Sequence, residues 1–162
     1  VVRHDPMAML PFCGYNMGDY FQHWIDMEKL PAAKGGKNMP KIFFVNWFRR
    51  DKENPALKSE GGFLWPGYGD NSRVLAYIFD RCNGQGETVD TPIGKVPAAG
   101  QINIEGLKSC YTEETMKQVL AVNVDEWKDE VERIEEHFAK FGKHLPKELV
   151  ARLDILKQRL GM

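Results

Sequence analysis

The first amphipathic stretch of the chain follows Asn16 and ends at Pro31. Apolar side chains recur there at helical spacing, which predicts a helix of about 13 residues. The positions that form this stripe are Tyr20, Phe21, Trp24, Ile25 and Leu30. Asn16 suits the N-cap position because its side-chain oxygen can accept a hydrogen bond from a first-turn N–H. Pro31 cannot continue the helix.

A different pattern begins after the Gly-rich, Lys-rich segment 32–40, which we predict to be an exposed loop. The run from Ile42 to Trp47 is β-branched and aromatic, which predicts a buried strand. A charged loop, Arg49–Gly62, leads to an aromatic return segment, Phe63–Asn71, and Ser72 is a candidate cap for the helix that follows. The predicted apolar face of that helix is Val74, Leu75, Ile78, Phe79 and Cys82.

The remaining pattern is mainly helical. Two short extended pieces are predicted at 91–96 and 101–104, and the pair Thr112 and Thr115 predicts the start of a helix that reaches Leu120. Asp125 is the predicted cap of a longer helix, and Pro146 lies in the first turn of the last one. Their apolar stripes predict two antiparallel helices that cover each other. These stripes are Trp127, Val131, Ile134, Phe138 and Phe141, and then Leu149, Leu153, Leu156 and Leu160.

These elements predict an α+β fold that is mainly helical with a few short strands. We expect two regions. Residues 1–110 would form a subregion built on the strand-loop-helix core, and residues 111–162 would form a C-terminal helical hairpin packed on it.

Composition narrows the class of protein. The chain has 162 residues, of which 43% are hydrophobic and 28% charged, and its net charge is −1. These values are typical of a globular domain and argue against nucleic-acid or membrane-surface binding. No apolar run approaches the roughly 20 residues that span a membrane. The three cysteines are widely spaced, which favours reduced thiols and a cytoplasmic location.

Two His–Asp pairs are candidates for chemistry. Asp19 and His23 share a helical face at i, i+4 and are interpreted as a surface ion pair, although the spacing also suits two metal ligands. His4 and Asp5 are adjacent and are interpreted as a turn or cap, with proton transfer as the alternative. No phosphate-binding motif of the G-x-x-x-x-G-K-[ST] type occurs, and we predict no catalytic and no metal-binding residue.

The stretch from Lys41 to Leu75 concentrates aromatic residues next to exposed loop backbone. Flat rings beside N–H groups and an asparagine side chain have the chemistry of a purine pocket, in which rings sandwich the base and polar groups contact its edge. The alternative is that these rings fill the core of an ordinary α+β domain.

Four segments of the chain resemble GTP-dependent phosphoenolpyruvate carboxykinases. They occur in that family's order and at nearly its spacing, and weaker similarity continues through the helical tail. The segments are HDPMAMLPFCGYNMGDYFQHW (4–24), KIFFVNWFRRD (41–51), FLWPGYGDNSRVL (63–75) and TPIGKVP (91–97). The resemblance implies the C-terminal part of the nucleotide-binding lobe of a gluconeogenic decarboxylating kinase that converts oxaloacetate and GTP into phosphoenolpyruvate, CO₂ and GDP.

The resemblance also implies specific roles for residues. The guanine pocket would be lined by Trp47, Phe48, Phe63 and Tyr68, and the base edge would be contacted by the backbone of Tyr68, Gly69 and Asp70 and by the Asn71 side chain. His4 and Asp5 would belong to the hinge of an active-site lid. The manganese or magnesium ligands, the phosphate loop and the substrate-binding arginines would lie in the remainder of the same enzyme, so this chain alone is expected to be inactive.

Three expectations remain open at this point. Arg49, Arg50, Lys52 and Lys58 are candidates for a phosphate contact, with a solvated loop as the alternative. The chain could instead be a stand-alone helical protein-interaction module that no longer binds nucleotide. Exposed apolar surface could also support a dimer.

Overall fold

A computed structural model describes residues 9–31, 34 and 39–162. His4 and Asp5, and most of the segment 32–40, lie outside the described residues. The helices are α1 (Met17–Glu28), α2 (Asn71–Cys82), α3 (Glu113–Leu120), α4 (Val124–Ala139) and α5 (Lys147–Leu160), and the strands are β1 (Thr88–Thr91) and β2 (Gly94–Pro97). Short 3₁₀ turns cover Leu10–Phe12, Pro55–Glu60, Tyr68–Asp70 and Gly142–His144. The predicted α+β class, mainly helical with short strands, is confirmed.

The chain divides into two compact units. The central unit is Lys41–Val122, and the terminal unit combines Val1–Pro40 with Asn123–Met162. These boundaries differ from the predicted division after residue 110. The segment that carries α1 joins the C-terminal helices in the terminal unit, whereas α3 belongs to the central unit.

In the terminal unit, the predicted helical hairpin of α4 and α5 is present. Its buried centre is Val131, Leu153 and Leu160, and the partly buried residues packed on it are Trp127, Ile134, Phe138 and Leu156. The cap of α4 is Asn123, not the predicted Asp125. The Asn123 Oδ1 accepts hydrogen bonds from the N–H groups of Asp125 and Glu126, so the helix starts one residue before the predicted cap.

The first helix of the terminal unit is capped as predicted. The Asn16 Oδ1 accepts a hydrogen bond from the Gly18 N–H at 2.8 Å. A side chain at Gly18 could not be accommodated, because its Cβ would lie 2.4 Å from the carbonyl oxygen of His144. The predicted ion pair between Asp19 and His23 is wrong. The Asp19 carboxylate instead lies 2.8 Å from Nδ1 of His144, a partner that is distant in sequence.

In the central unit, β1 and β2 form an antiparallel hairpin in which Thr91 pairs with Gly94. The predicted extended piece 91–96 therefore contains the turn, and the second predicted piece, 101–104, is irregular and contributes the buried side chain of Ile102. The predicted start of α3 is confirmed, because the side chains of Thr112 and Thr115 form a reciprocal capping box.

The helix α2 differs from its prediction in its start and in its buried face. It begins at Asn71, so Ser72 lies inside the helix and does not cap it. Tyr77 is its buried residue, whereas the predicted core positions Leu75 and Phe79 are exposed. The reason lies in the Tyr77 side chain, which belongs to the same buried core cluster as Trp65 and whose hydroxyl donates a hydrogen bond to the Glu87 carbonyl at 2.9 Å.

The predicted buried strand from Ile42 to Trp47 is also wrong. Residues 41–46 have no regular secondary structure, and the side chains of Ile42 and Phe44 are 73% and 87% exposed. A strand forms when its N–H and C=O groups pair with a neighbouring strand, and the described part of the chain supplies no such neighbour for this segment. Its apolar sequence is therefore presented to solvent.

No helix in the described ranges is both long enough and apolar enough to cross a lipid bilayer.

Candidate functional site

A short antiparallel contact in the central unit organises the candidate site. The Leu64 N–H donates to the Arg49 carbonyl at 3.0 Å, and the Asp51 N–H donates to the Gly62 carbonyl at 2.8 Å. Gly62 has a φ of +74°, and a Cβ there would lie 3.1 Å from the Asp51 carbonyl oxygen. This position therefore requires glycine, and the close approach that it permits places the residues after the apolar segment beside the aromatic return segment.

Two pairs of rings result from this contact. The ring centroids of Phe48 and Phe63 are 6.3 Å apart, and those of Trp47 and Trp65 are 6.5 Å apart. Trp65 is only 5% exposed and belongs to the core of the unit, whereas Phe48 is 75% exposed. The Arg50 guanidinium carbon lies 3.9 Å from the centroid of the Phe63 ring, in cation–π geometry.

The polar part of the site is the turn that leads into α2. Tyr68–Asp70 form a 3₁₀ turn preceded by Gly67, and the Tyr68 side chain is 94% exposed. The Asp70 N–H donates to the Gly67 carbonyl, and the Asn71 N–H donates to the Tyr68 carbonyl. These two backbone N–H groups are therefore committed to the turn.

The side chain of Asn71 is held by a tryptophan. The Trp65 Nε1–H donates to the Asn71 Oδ1 at 2.8 Å. This bond directs the amide oxygen toward the indole, so the NH₂ group of Asn71, which has two donors, is turned away from the indole.

The charged groups around the turn are mostly occupied by structural bonds. The Arg73 Nε donates to the Asp70 carboxylate at 3.0 Å, and its Nη1 donates to the Asn103 carbonyl at 2.9 Å. The Arg49 Nη1 donates to the carbonyls of Val119 and Ala121 at the C-terminal end of α3. Arg49 was a candidate for a phosphate contact, but in the structure its guanidinium completes this helix end.

Two buried tyrosines of the central unit, Tyr111 and Tyr77, do not ionise near neutral pH. Burial, reinforced by the negative charge of Glu60, raises the pKa of Tyr111 to about 12. Burial also raises the pKa of Tyr77. Both phenols therefore stay neutral near pH 7, and both are buried in the core of the central unit.

The sequence of the whole chain matches one protein family. The family described as the phosphoenolpyruvate carboxykinase C-terminal P-loop domain matches residues 1–159. The chain belongs to the GTP-dependent phosphoenolpyruvate carboxykinase family. The resemblance stated from four segments is thereby confirmed over essentially the full length.

Named relatives agree with this assignment. Proteins named phosphoenolpyruvate carboxykinase [GTP] are 51% identical in Treponema pallidum (strain Nichols), 49% in Neocallimastix frontalis and 48% in Paenarthrobacter aurescens, each over 161 residues. The alignments cover 98–99% of this chain. The chain spans 24% of the length of these carboxykinases.

Two parts of carboxykinase chemistry are not found in the residues at hand. The sequence has no phosphate loop of the G-x-x-x-x-G-K-[ST] type. Within residues 9–31, 34 and 39–162, no three His, Cys, Asp or Glu side chains come together as ligands for a metal ion. The described side chains therefore do not fit a manganese or magnesium ion.

The structure brings together some of the seven predicted site residues. Phe48 and Phe63 contact each other, while Trp47 and Asn71 are both joined to Trp65. Tyr68 and Gly69 stand exposed in the turn. A cavity of about 240 Å³ elsewhere in the central unit, between the β-hairpin and α3, is lined by none of the seven.

Sequence reasoning missed two contacts in this site. Trp65 is not among the predicted site residues, and Arg50 is predicted as a phosphate contact or as part of a solvated loop, not as a partner of the Phe63 ring. A tryptophan that is buried in a loop needs an acceptor for its indole N–H, and Asn71 is the polar residue one short turn away. The need of the Trp65 indole N–H for an acceptor is the signal from which the bond to Asn71 could have been predicted.

Proposed function

We propose that this chain supplies the guanine-nucleotide-binding part of a GTP-dependent phosphoenolpyruvate carboxykinase. The complete enzyme would decarboxylate oxaloacetate and transfer the γ-phosphoryl group of GTP to the resulting enolate, giving phosphoenolpyruvate, CO₂ and GDP. One observation carries the proposal. The central unit combines exposed aromatic rings with an asparagine amide whose orientation is held by a buried indole.

The exposed rings supply the affinity in this proposal. Leaving a phenylalanine in water forgoes about 1.5–3 kcal/mol of burial, so the exposure of Phe48 beside well-packed neighbours suggests a ligand-binding role. Stacking of a base on an aromatic ring contributes about 1–3 kcal/mol and does not depend on which base is bound. Phe48, Phe63, Trp47 and the exposed Tyr68 are the rings assigned to this role.

The polar turn supplies the base preference. The backbone N–H groups of Asp70 and Asn71 are used within the turn, so the Asn71 NH₂ is the donor assigned to guanine O6. Adenine has a donor at the same position of the ring, and an unpaired buried polar group costs about 1–3 kcal/mol. The remaining backbone atoms of Tyr68, Gly69 and Asp70 are assigned to the rest of the base edge.

The chemistry beyond base binding is assigned to the rest of the same enzyme. The phosphate loop, the manganese or magnesium ion and the oxaloacetate-binding groups would come from there. The 162-residue chain by itself is then a weak binder of GTP and GDP and has no carboxykinase activity. Its three free cysteines suit a reducing compartment such as the cytoplasm.

The exposed apolar segment Ile42–Val45 is the surface assigned to the rest of the enzyme. A row of apolar side chains whose backbone pairs with no strand among the described residues is suited to pairing with a strand supplied by another part of the protein. In the isolated chain, the same segment would be the place where two copies associate.

A second candidate function is a protein-interaction module that no longer binds nucleotide. The exposure of Leu75 and Phe79 on α2, in addition to Ile42 and Phe44, favours it. Such a module has no need for the bond between Trp65 and Asn71, which is why we place it second.

Calorimetric titration of the chain with GDP and, separately, with ADP tests the proposal. We expect saturable binding of GDP that is at least tenfold tighter than that of ADP, a difference of about 1.4 kcal/mol. Asn71→Ala should remove this preference. Absence of GDP binding at millimolar concentration in the chain, and also after the remainder of a carboxykinase is added back, would support the interaction module.

A further inference from the structure

The bond between Trp65 and Asn71 has a direction that chemistry fixes. An indole N–H is a donor and cannot accept. The Asn71 atom that lies 2.8 Å from it must therefore be the amide oxygen, whichever way an amide could otherwise be placed. The NH₂ group of Asn71 is consequently turned away from the indole.

Both partners in this bond are held in place. Trp65 is buried in a core cluster with Tyr77, Ile102 and Met116, so its ring cannot turn to release the bond without disturbing that packing. Asn71 is the first residue of α2, and its backbone N–H donates to the Tyr68 carbonyl. The amide is thus fixed at both its backbone and its oxygen.

A free asparagine amide is well suited to adenine. Its oxygen accepts from the N6 amino group while its nitrogen donates to N7, so the two hydrogen bonds form together. The Asn71 oxygen keeps a second lone pair, but its bond to the buried indole fixes the direction of the amide, so Asn71 is not free to rotate into this paired geometry. It still offers donors, and guanine presents two acceptors, O6 and N7, on the corresponding edge.

We propose that Trp65 is a positioning residue that sets the preference for guanine over adenine by holding the Asn71 amide with its oxygen toward the indole and its NH₂ group away from it. This inference rests on the proposed function, because it concerns the same base site. Trp65 need not touch the nucleotide, and it acts through the orientation of Asn71.

The test is the ratio of GDP affinity to ADP affinity in Trp65→Phe, measured by calorimetry on the full chain. Phenylalanine keeps an aromatic ring in the core but has no N–H donor. We expect the ratio to fall about tenfold, because the freed amide can turn its oxygen to adenine. IDP keeps O6 but lacks the 2-amino group, so its binding should be weakened by Trp65→Phe as much as the binding of GDP is.

Trp24→Phe is the matched control, since Trp24 lies on α1 in the terminal unit. It should leave the ratio unchanged. An unchanged ratio in Trp65→Phe, with GDP binding intact, overturns the inference and leaves the proposed function standing. If the unsubstituted chain fails to bind GDP both by itself and after the rest of the enzyme is added, the proposed function and the inference are overturned together.

Two further measurements keep the inference testable if Trp65→Phe folds poorly. Asn71→Asp retains an oxygen for the indole and removes both donors, so the fold should persist while the preference for GDP is lost. In Asn71→Ala, solvent exchange of the Trp65 indole proton, followed by NMR, should accelerate. An unchanged exchange rate would show that the bond does not hold the amide and would overturn the inference.

Discussion

The helical hairpin of α4 and α5 differs from the stretch Lys41–Asn71 in how far its apolar side chains are exposed to solvent. In the hairpin, the apolar stripe of each helix is buried against the other, around Val131, Leu153 and Leu160. In the Lys41–Asn71 stretch, Ile42, Phe44, Phe48 and Tyr68 are largely exposed, although they are as apolar or aromatic as the hairpin core. The hairpin thus buries its apolar stripes, whereas the Lys41–Asn71 stretch exposes several of its apolar side chains.

The difference in exposure reflects the kind of partner that each region needs for its apolar side chains and its backbone. A helix satisfies its own backbone and needs only one neighbour for its apolar stripe, which the next helix supplies through a short connection. A strand needs a partner along its whole length. The exposed rings are therefore where we expect the ligand to bind, and the exposed segment Ile42–Val45 is where we expect the rest of the enzyme to bind. The hairpin should respond only to changes in its own packing.

The largest effect should come from Leu153→Ala in the hairpin. Truncating a buried leucine costs about 2–5 kcal/mol, because apolar contacts are lost and a cavity remains. Urea unfolding should show this loss, and Leu149→Ala, at a less buried site on the same helix, should cost less. If a Leu153→Ala chain that is still folded lost its selectivity for guanine nucleotides, the claim that the hairpin does not affect nucleotide binding would be wrong.

Phe48→Ala should have the reverse effect. Removing an exposed ring should change the free energy of unfolding by less than about 0.5 kcal/mol, yet weaken GDP binding by about 1–3 kcal/mol because base stacking is lost. Calorimetry and urea unfolding on the same preparation measure both quantities. An exposed aromatic outside the site offers a control, and Phe79→Ala should leave GDP affinity unchanged.

Arg49→Ala sharpens the comparison within the Lys41–Asn71 stretch itself. Its guanidinium bonds to two carbonyls at the end of α3, so its loss should cost about 1–2 kcal/mol of stability. The exposed Arg152 is the control, and its replacement by alanine should have little effect. A phosphate contact would instead make Arg49→Ala weaken GDP relative to guanosine, which we do not expect.

The smallest effect should come from the ion pair of Lys29 and Glu148, whose atoms are 2.7 Å apart in the terminal unit. The hydrogen bond from Lys29 lowers the pKa of Glu148, and the same bond raises the pKa of Lys29. The stability from Glu148 is present above the usual glutamate pKa of about 4.3 and is lost as pH falls through its lowered value. The part from Lys29 is present below about pH 10.4 and is lost as pH rises through its raised value.

Because both groups are solvent-exposed, this pair should contribute little and should weaken with salt. Glu148→Gln should lower the urea midpoint slightly at pH 7, and the difference should vanish at pH 2. Glu114→Gln, which breaks the pair with Lys117 in the central unit, provides the comparison. A difference that persisted at pH 2 would mean that Glu148 acts through packing and not through its charge.

The features that the sequence predicted correctly are those that depend on residues close together in the chain. The Asn16 cap, the capping box of Thr112 and Thr115 and the packed stripes of α4 and α5 all follow from local spacing, and each is confirmed. The cap of α4 at Asn123 and the buried face around Tyr77 were missed because each depends on particular hydrogen bonds, two at the Asn123 side chain and one at the Tyr77 hydroxyl. Such bonds leave no period in the sequence.

The candidate site was predicted by resemblance more than by pattern. The stretch from Ile42 to Trp47 has a strand's composition but lacks a strand's partner in the described chain, so a pattern alone could not predict its exposure. Pairs such as Asp19 with His144, which are far apart in sequence, were equally beyond local reasoning. The bond between Trp65 and Asn71 was within reach, because it follows from the unmet donor of a buried indole.

Hydrogen exchange of the chain with and without nucleotide tests the account most directly. With GDP at saturation, we predict slower exchange in residues 63–71 of the central unit, no change in α4 and α5, and a much weaker effect with ADP. Segment 42–45 should exchange rapidly in every case, because no other described residue forms a backbone hydrogen bond with it. GDP-dependent protection confined to the terminal unit, or equal protection by ADP, would contradict the claim that the exposed aromatic turn is a guanine site.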